Sequence, residues 1–203
     1  MATELKEHEI TKLFPCSIPI SEMMKLKIDN ESLYSITIPK ATVEIGNIIK
    51  KYYTITDTSS IIDATSGVGG DTISYSKLFN KVISIEKNKD RYEFLLHNLQ
   101  IYNISNVVSY NDTFLNLLDL DADIVYMDPP WSGRSYKDVE NLTLTLDAIP
   151  IEQICKDIIS KKNKPNLIVI KLPHNYDFNN FKKYDIVFNI HKLYKFSIIV
   201  ICL

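Results

Sequence analysis

Arginine is almost missing from this chain: Arg91 and Arg134 are the two it has among 203 residues. With 23 basic against 25 acidic side chains, the net charge is -2. No basic excess is available for a long nucleic-acid duplex, whose phosphates demand one. A small anionic ligand or the end of an RNA fits better, with weak salt dependence on a minimal substrate. Cysteine is scarce as well. Cys16, Cys155 and Cys202 are odd in number and far apart, which suggests neither a disulfide framework nor a zinc site. His8, His97, His174 and His191 have no metal-ligand spacing, so no metal is expected. No apolar run is long enough to span a membrane. The stretch from Met1 to His8 is charged, unlike a secretory signal.

What is present alternates. Short helices are expected over Glu4 to Phe14 and Ser21 to Leu26, broken by Pro15 and Pro19. The β-branched stretch Leu33 to Pro39 reads as extended. Val43, Ile45, Ile48, Ile49 and Tyr52 recur at helical spacing, giving a helix from about Lys40 to Tyr53. Strands follow at Ser60 to Ala64, Lys81 to Glu86, Asn106 to Tyr110, Ala122 to Met127 and Asn166 to Lys171. Helices lie between them at Asp71 to Leu78, with Asp71 as N-cap, at Asn88 to Tyr102 and at Pro150 to Ser160. Two closing strands, Asp185 to Ile190 and Tyr194 to Cys202, succeed each other as in a hairpin. Such alternation with an antiparallel end predicts an α/β doubly wound sheet with a reversed edge strand.

In such a sheet the chemistry lies at the carboxyl ends of the strands. Asp63-Ala64-Thr65-Ser66-Gly67-Val68-Gly69-Gly70 turns from strand to helix, and its glycines let backbone approach a ligand without Cβ atoms in the way. The dinucleotide fingerprint is not met, because Gly70 follows Gly69 directly. Glu86 closes the second strand, where a carboxylate accepts ribose hydroxyls. Asp112 follows the third, suited to an adenine amino group, and Asp128 closes the fourth. Four acidic strand ends repel a pyrophosphate and welcome a cation. S-adenosyl-L-methionine carries a sulfonium and no phosphate, so electrostatics favours it over a nicotinamide dinucleotide.

Asp128-Pro129-Pro130-Trp131 adds the second partner. The prolines fix their own φ angles and lack N–H donors, leaving carbonyls to face a ligand. A carboxylate, the Pro129 carbonyl and a flat ring together suit an exocyclic amine on a base. Arg134, Lys171 and His174 are candidate phosphate ligands, and Tyr34 and Ser35 candidates to close the pocket.

These stretches resemble the class I methyltransferases, and within them the RNA cap guanine-N2 methyltransferases of the trimethylguanosine synthase type. DATSGVGGDT (Asp63 to Thr72) is similar to that family's Asp-Ala-Phe-Cys-Gly-Val-Gly-Gly-Asn-Thr. Pro-Pro-Trp-Ser-Gly-Arg-Ser-Tyr from Pro129 resembles its Pro-Pro-Trp-Gly-Gly-Pro, a residue, then Tyr. Leu33 to Thr37 resembles Trp-Phe-Ser-Val-Thr, and Leu172-Pro173-His174-Asn175 resembles Leu-Pro-Arg-Asn. The chain departs at Ile38 and Pro39, where the family has Pro-Glu, and at Ser132, Arg134 and His174.

The resemblance implies a Rossmann-like fold with seven strands, mostly parallel, an antiparallel C-terminal strand and helices on both faces. It divides the chain into a helical appendage over 1–32 and a methyltransferase domain over 33–203. It implies S-adenosyl-L-methionine contacts at Thr37, Asp63, Thr65, Gly67, Gly69, Glu86, Asp112 and Asp128, and catalysis by Asp128, Pro129 and Trp131. The substrate implied is a 7-methylguanosine-capped RNA or cap analogue, held by Tyr34, Trp131, Arg134, Lys171, His174 and Asn175. A monomer is expected, in a reducing intracellular compartment: nucleus, cytoplasm, or a host cytoplasm for a viral protein. Two other readings stay open. One is an adenine-N6 or other amino methyltransferase on RNA or DNA. In the messenger-RNA adenine class, however, the Asp-Pro-Pro-Trp motif precedes the cofactor motif. The other is a non-catalytic cap- or RNA-binding subunit on the same scaffold.

Overall fold

The computed structural model describes residues 2–131 and 133–203, apart from the side chain of Arg134. The chain divides into two compact units, Met1–Phe114 and Leu115–Leu203.

The first unit opens with helices α1 (Glu7–Leu13), α2 (Ile20–Met23) and α3 (Ser32–Ser35). In α1, Glu7 and Glu9 occupy the first turn and Lys12 the last, matching the helix dipole. Helix α3 falls where an extended stretch is expected. The Asp29 carboxylate accepts the Ser32 backbone N–H at 2.8 Å, and this local cap outweighs the β-branched content. Extended geometry survives at Ile36 and Ile38, whose ψ angles are 131° and 147°. Helix α4 (Pro39–Ile49) starts on Pro39, which has no N–H to leave unsatisfied in the first turn. Then come β1 (Ser60–Asp63), α5 (Gly70–Tyr75), β2 (Lys81–Ile85), α6 (Lys89–Ile101) and β3 (Val107–Tyr110). Strand β2 pairs in parallel with β1 on one side and β3 on the other. Ile10, Phe14, Met23, Leu26 and Ile28 of the lead-in pack in one core with Val68, Ile73, Leu95, Leu99 and Tyr102.

The second unit contains β4 (Ile124–Met127), the short pair β5 (Thr145–Leu146) and β6 (Ile149–Pro150), α7 (Ile151–Ile159), β7 (Leu167–Leu172), α8 (Asn179–Lys183), β8 (Asn189–Lys192) and β9 (Ser197–Cys202). Strands β4 and β7 are buried along their whole length, as parallel strands covered on both faces are. The β5–β6 turn was not expected from the sequence. Asp147 and Ala148 both take positive φ, 50° and 66°, as a tight hairpin requires, but Asp-Ala is not the usual signal for it. Strand β8 begins at Asn189 and not Asp185, because Asp185 turns the chain with φ 56°. On α7, the buried Glu152 accepts a hydrogen bond from the Tyr176 hydroxyl.

The sheet order is β3-β2-β1-β4-β7-β9-β8. The pairings of β7 with β9 and of β9 with β8 are antiparallel, so β9 is the reversed strand. This is the doubly wound α/β architecture expected from the alternation of elements, except that the reversed strand is not at the edge: β9 pairs with β7, and β8, the first strand of the hairpin, takes the edge. No helix among the described residues is long and apolar enough to cross a membrane.

Candidate functional site

In the first unit, the turn after β1 is built from its own backbone and a few buried polar groups. The Ser66 N–H donates to the Ile85 carbonyl at 2.9 Å, and its hydroxyl donates to the Asp63 carbonyl at 2.9 Å while accepting the Ile85 N–H at 3.0 Å. These bonds tie the turn to the end of β2. Asp63 is fully buried, and its Oδ2 accepts the Thr72 hydroxyl at 2.5 Å. Gly67 has φ 54° with open space where a Cβ would stand, so conformation and not crowding calls for glycine there. Gly69, at φ 97°, begins α5 as its N-cap.

Asp71 therefore does not cap α5, contrary to expectation. It lies within the first turn, and its carboxylate accepts the Thr37 and Thr42 hydroxyls at 2.7 and 2.6 Å. Thr37 is buried, and its bond to Asp71 links the lead-in to the start of α5.

Glu86 directly follows β2, with Oε2 accepting the Gly67 N–H at 2.8 Å and Oε1 the Asn88 N–H at 2.7 Å. A carboxylate has about four acceptor sites, so two backbone donors leave capacity for hydroxyls. Burial pushes the Glu86 carboxyl above the ordinary glutamate range, although both N–H groups and Arg91 pull it down. Asp112 accepts the N–H of Thr113 at 2.7 Å. Thr65 is half-buried in the turn, and Tyr34 is exposed on α3. The unit thus gathers Asp63, Gly67 and Glu86 around one turn.

The sequence reading missed Asn98. It is fully buried; its amide donates to the carbonyls of Lys27 at 2.8 Å and Val68 at 2.9 Å, and its Oδ1 accepts the Lys27 N–H at 2.8 Å. One side chain thereby joins the lead-in, α6 and the glycine turn. The signal was a polar residue at a core-facing position between Leu95 and Leu99.

In the second unit, Asp128 follows β4 and Lys171 lies near the end of β7. The register that pairs Met127 with Ile170 brings the next residues side by side. The Lys171 ammonium is 2.6 Å from Asp128 Oδ2, with side-chain exposures of 6% and 16%. It also stands 5.3 Å from the Trp131 ring and 5.1 Å from the Phe196 ring. Lys171 is thus engaged with the Asp128 carboxylate and with two aromatic faces. Trp131 meets Tyr136 edge-on, with centroids 5.1 Å apart and planes at 79°. Its indole Nε1 is buried without a hydrogen-bond partner among the described residues.

Asn175 anchors the loop after Trp131: its amide donates to the carbonyls of Tyr136 and Val139 at 2.6 and 2.7 Å. His174 is exposed, with Nδ1 3.0 Å from the Ser197 hydroxyl. Pro129 is buried and Pro130 exposed. Ser132 and the Arg134 side chain lie outside the described residues. No cluster of three His, Cys, Asp or Glu suited to a metal occurs among the described residues.

Comparison with known proteins agrees with the motifs. The profile of the RNA cap guanine-N2 methyltransferases matches residues 58–202. An uncharacterized protein of Acanthamoeba polyphaga mimivirus is 35% identical, over 96% of this chain and 86% of its own length. The trimethylguanosine synthase of Schizosaccharomyces pombe is 38% identical over 54% of this chain, which spans 47% of the synthase. Among solved structures, a T. thermophilus 16S rRNA N2 methyltransferase in complex with AdoMet and guanosine superposes with a TM-score of 0.62. It covers 87% of this chain and 43% of its own, at 13% identity, a likeness of fold. The match over residues 58–202 contains both the glycine turn and the Asp-Pro-Pro-Trp loop, and on that ground the chain belongs to the RNA cap guanine-N2 methyltransferase family, with the Rossmann-like fold of class I methyltransferases.

Proposed function

We propose that this protein methylates the exocyclic N2 of 7-methylguanosine RNA caps, using S-adenosyl-L-methionine. The observation that carries the reading is the Asp128–Lys171–Trp131 assembly: a fixed carboxylate beside the one tryptophan of the chain. When bound, the cofactor supplies an electrophilic methyl group on a sulfonium. The residues of the first unit suit such a group. The Cβ-free space at Gly67 admits backbone approach, and the Glu86 carboxylate is suited to ribose hydroxyls. Asp63, Thr65, Gly69 and Asp112 complete the proposed contacts, with Thr37 acting through Asp71.

The guanine N2 lone pair is delocalised into the ring, so it is a poor nucleophile and must be aimed. Asp128 and the Pro129 carbonyl would accept its amino hydrogens, turning the remaining lobe toward the methyl donor. Holding reactants in line is a main source of rate, worth several kcal/mol in favourable systems. Trp131 would stack on the base; a guanine cationic through N7-methylation adds about 0.5–2 kcal/mol to that stack. The N2 proton leaves after attack, so no strong base is required. Tyr34, Arg134, His174 and Asn175 are the proposed cap-side residues. The reading fits a monomer in a reducing compartment, nuclear or cytoplasmic, consistent with the free Cys16, Cys155 and Cys202.

Incubation with 7-methylguanosine diphosphate and S-adenosyl-L-methionine should yield a product one or two methyl groups heavier by mass spectrometry. Methylation confined to adenine in RNA would overturn the cap reading, and absence of calorimetric heat with the cofactor would sink the enzyme reading.

Glu86 gives a pH test. Its folded value lies above the ordinary 4.5, so the folded chain holds this proton more tightly than the unfolded one. Between those two values its contribution to stability falls as pH rises. Cofactor affinity should move the opposite way, because only the carboxylate accepts from two hydroxyls. Affinity should drop several-fold as pH falls through the raised value, and Glu86→Gln should flatten that step. Calorimetry across the acidic range checks it, and a flat wild-type profile contradicts the role.

A further inference from the structure

The β8–β9 hairpin exposes an aromatic ring between lysines at its tip. The Leu193 N–H donates to the Phe196 carbonyl at 2.8 Å, closing a tight turn that presents Tyr194 and Lys195. Tyr194 is 93% exposed. Lys192 and Lys195 are exposed and form no ion pair among the described residues. Lys182 and Lys183 of α8 bond only neutral amides, those of Asn179 and Asn180, in the hydrogen bonds they make. Over residues 182–195 four lysines stand against one acidic side chain, Asp185, in a chain whose total charge is -2. An aromatic face interleaved with cations is the composition that binds single strands: the ring stacks on a base while ammonium groups meet phosphates.

The hairpin is also continuous with the proposed cap platform. Phe196, at its base, holds one side of Lys171, and Trp131 lies on the same ammonium. Tyr194 is two residues from Phe196, within the same tight turn. Strand β8 ends the sheet order, so its outer edge has no strand beside it among the described residues.

We propose that this hairpin is an interaction surface for single-stranded RNA: Tyr194 stacks on a base, and Lys192 and Lys195 bind phosphates, of the nucleotides that follow the cap. The proposal rests on the cap reading above and adds a second contact region to it. The weak salt dependence expected of a minimal cap analogue is unchanged, and a stronger one is added for capped RNA.

The test compares 7-methylguanosine diphosphate with a 7-methylguanosine-capped RNA of roughly ten nucleotides, within the reach of one single-strand site. Wild type should bind the RNA about ten-fold more tightly at low salt, the gain expected of one stack with supporting charges. Tyr194→Ala should remove most of that gain while leaving affinity and turnover for the diphosphate unchanged. Replacing Lys192 and Lys195 by Gln should lower the log–log salt slope for the RNA by about 1.4, the share of two single-strand phosphate contacts. Equal wild-type affinity for both ligands, or a Tyr194→Ala loss shared by both, overturns the proposal. So does a sedimentation shift in Tyr194→Ala with RNA affinity intact, which assigns the patch to self-association. If wild type neither binds nor methylates the diphosphate, the cap reading itself has failed, and this proposal falls with it.

Discussion

Lys171→Met should destabilise the protein by about 3 kcal/mol, the cost of breaking a buried ion pair by removing one partner. Lys171 and Asp128 lie 2.6 Å apart with little exposure, so water cannot replace the lost cation at full strength. Methionine keeps the length and apolar contacts of the side chain between Trp131 and Phe196, which isolates the charge as the cause. Urea denaturation gives the stability, and a methylation assay below the unfolding transition gives the activity. Activity should fall at least about ten-fold, because an aimed carboxylate counts among the orienting groups whose misplacement is costly. The double variant with Asp128→Asn separates the two effects. Removing both charges should recover much of the stability, since neutral replacements of buried pairs are often close to harmless. Activity should stay low, because the carboxylate is gone. Recovery of both would mean that Asp128 is only structural.

Trp131→Ala should weaken binding of 7-methylguanosine diphosphate by roughly 10- to 100-fold, the range of one base–aromatic stack with a cationic increment. Cofactor affinity should be unchanged, because the turn at Gly67 and the Glu86 carboxylate do not depend on the indole. Trp131 is the one tryptophan in the chain, so emission excited selectively at the indole, beyond tyrosine absorption, reports on this ring. Adding the cap analogue should quench it. Trp131→Phe should retain part of the affinity, as a smaller ring still stacks. An alanine variant that binds the analogue as wild type does would remove Trp131 from the site.

The alternation of elements was legible in the sequence because buried parallel strands and amphipathic helices carry different apolar periods. Strands β1, β2, β4 and β7 fall within a residue or two of where Ser60, Lys81, Ala122 and Asn166 opened them in the sequence. The glycine turn and the Asp-Pro-Pro-Trp loop were legible because their composition is locally unusual. Local competition was harder to read. Asp29 capping Ser32 turned an extended stretch into α3, and the hydroxyls of Thr37 and Thr42 drew Asp71 away from a capping role.

The main strands and the helices between them, the acidic strand ends and the family were readable in the chain alone, since each depends on residues close together in it. Only the folded chain fixes where the Lys171 ammonium sits. In sequence it is a cation 43 residues from Asp128, as open to phosphate as any other. The parallel register of β4 with β7 puts it beside that carboxylate, and the return of β9 sets Phe196 against its other side. Such contacts follow from strand pairing over long chain separations, which no local pattern of residues encodes.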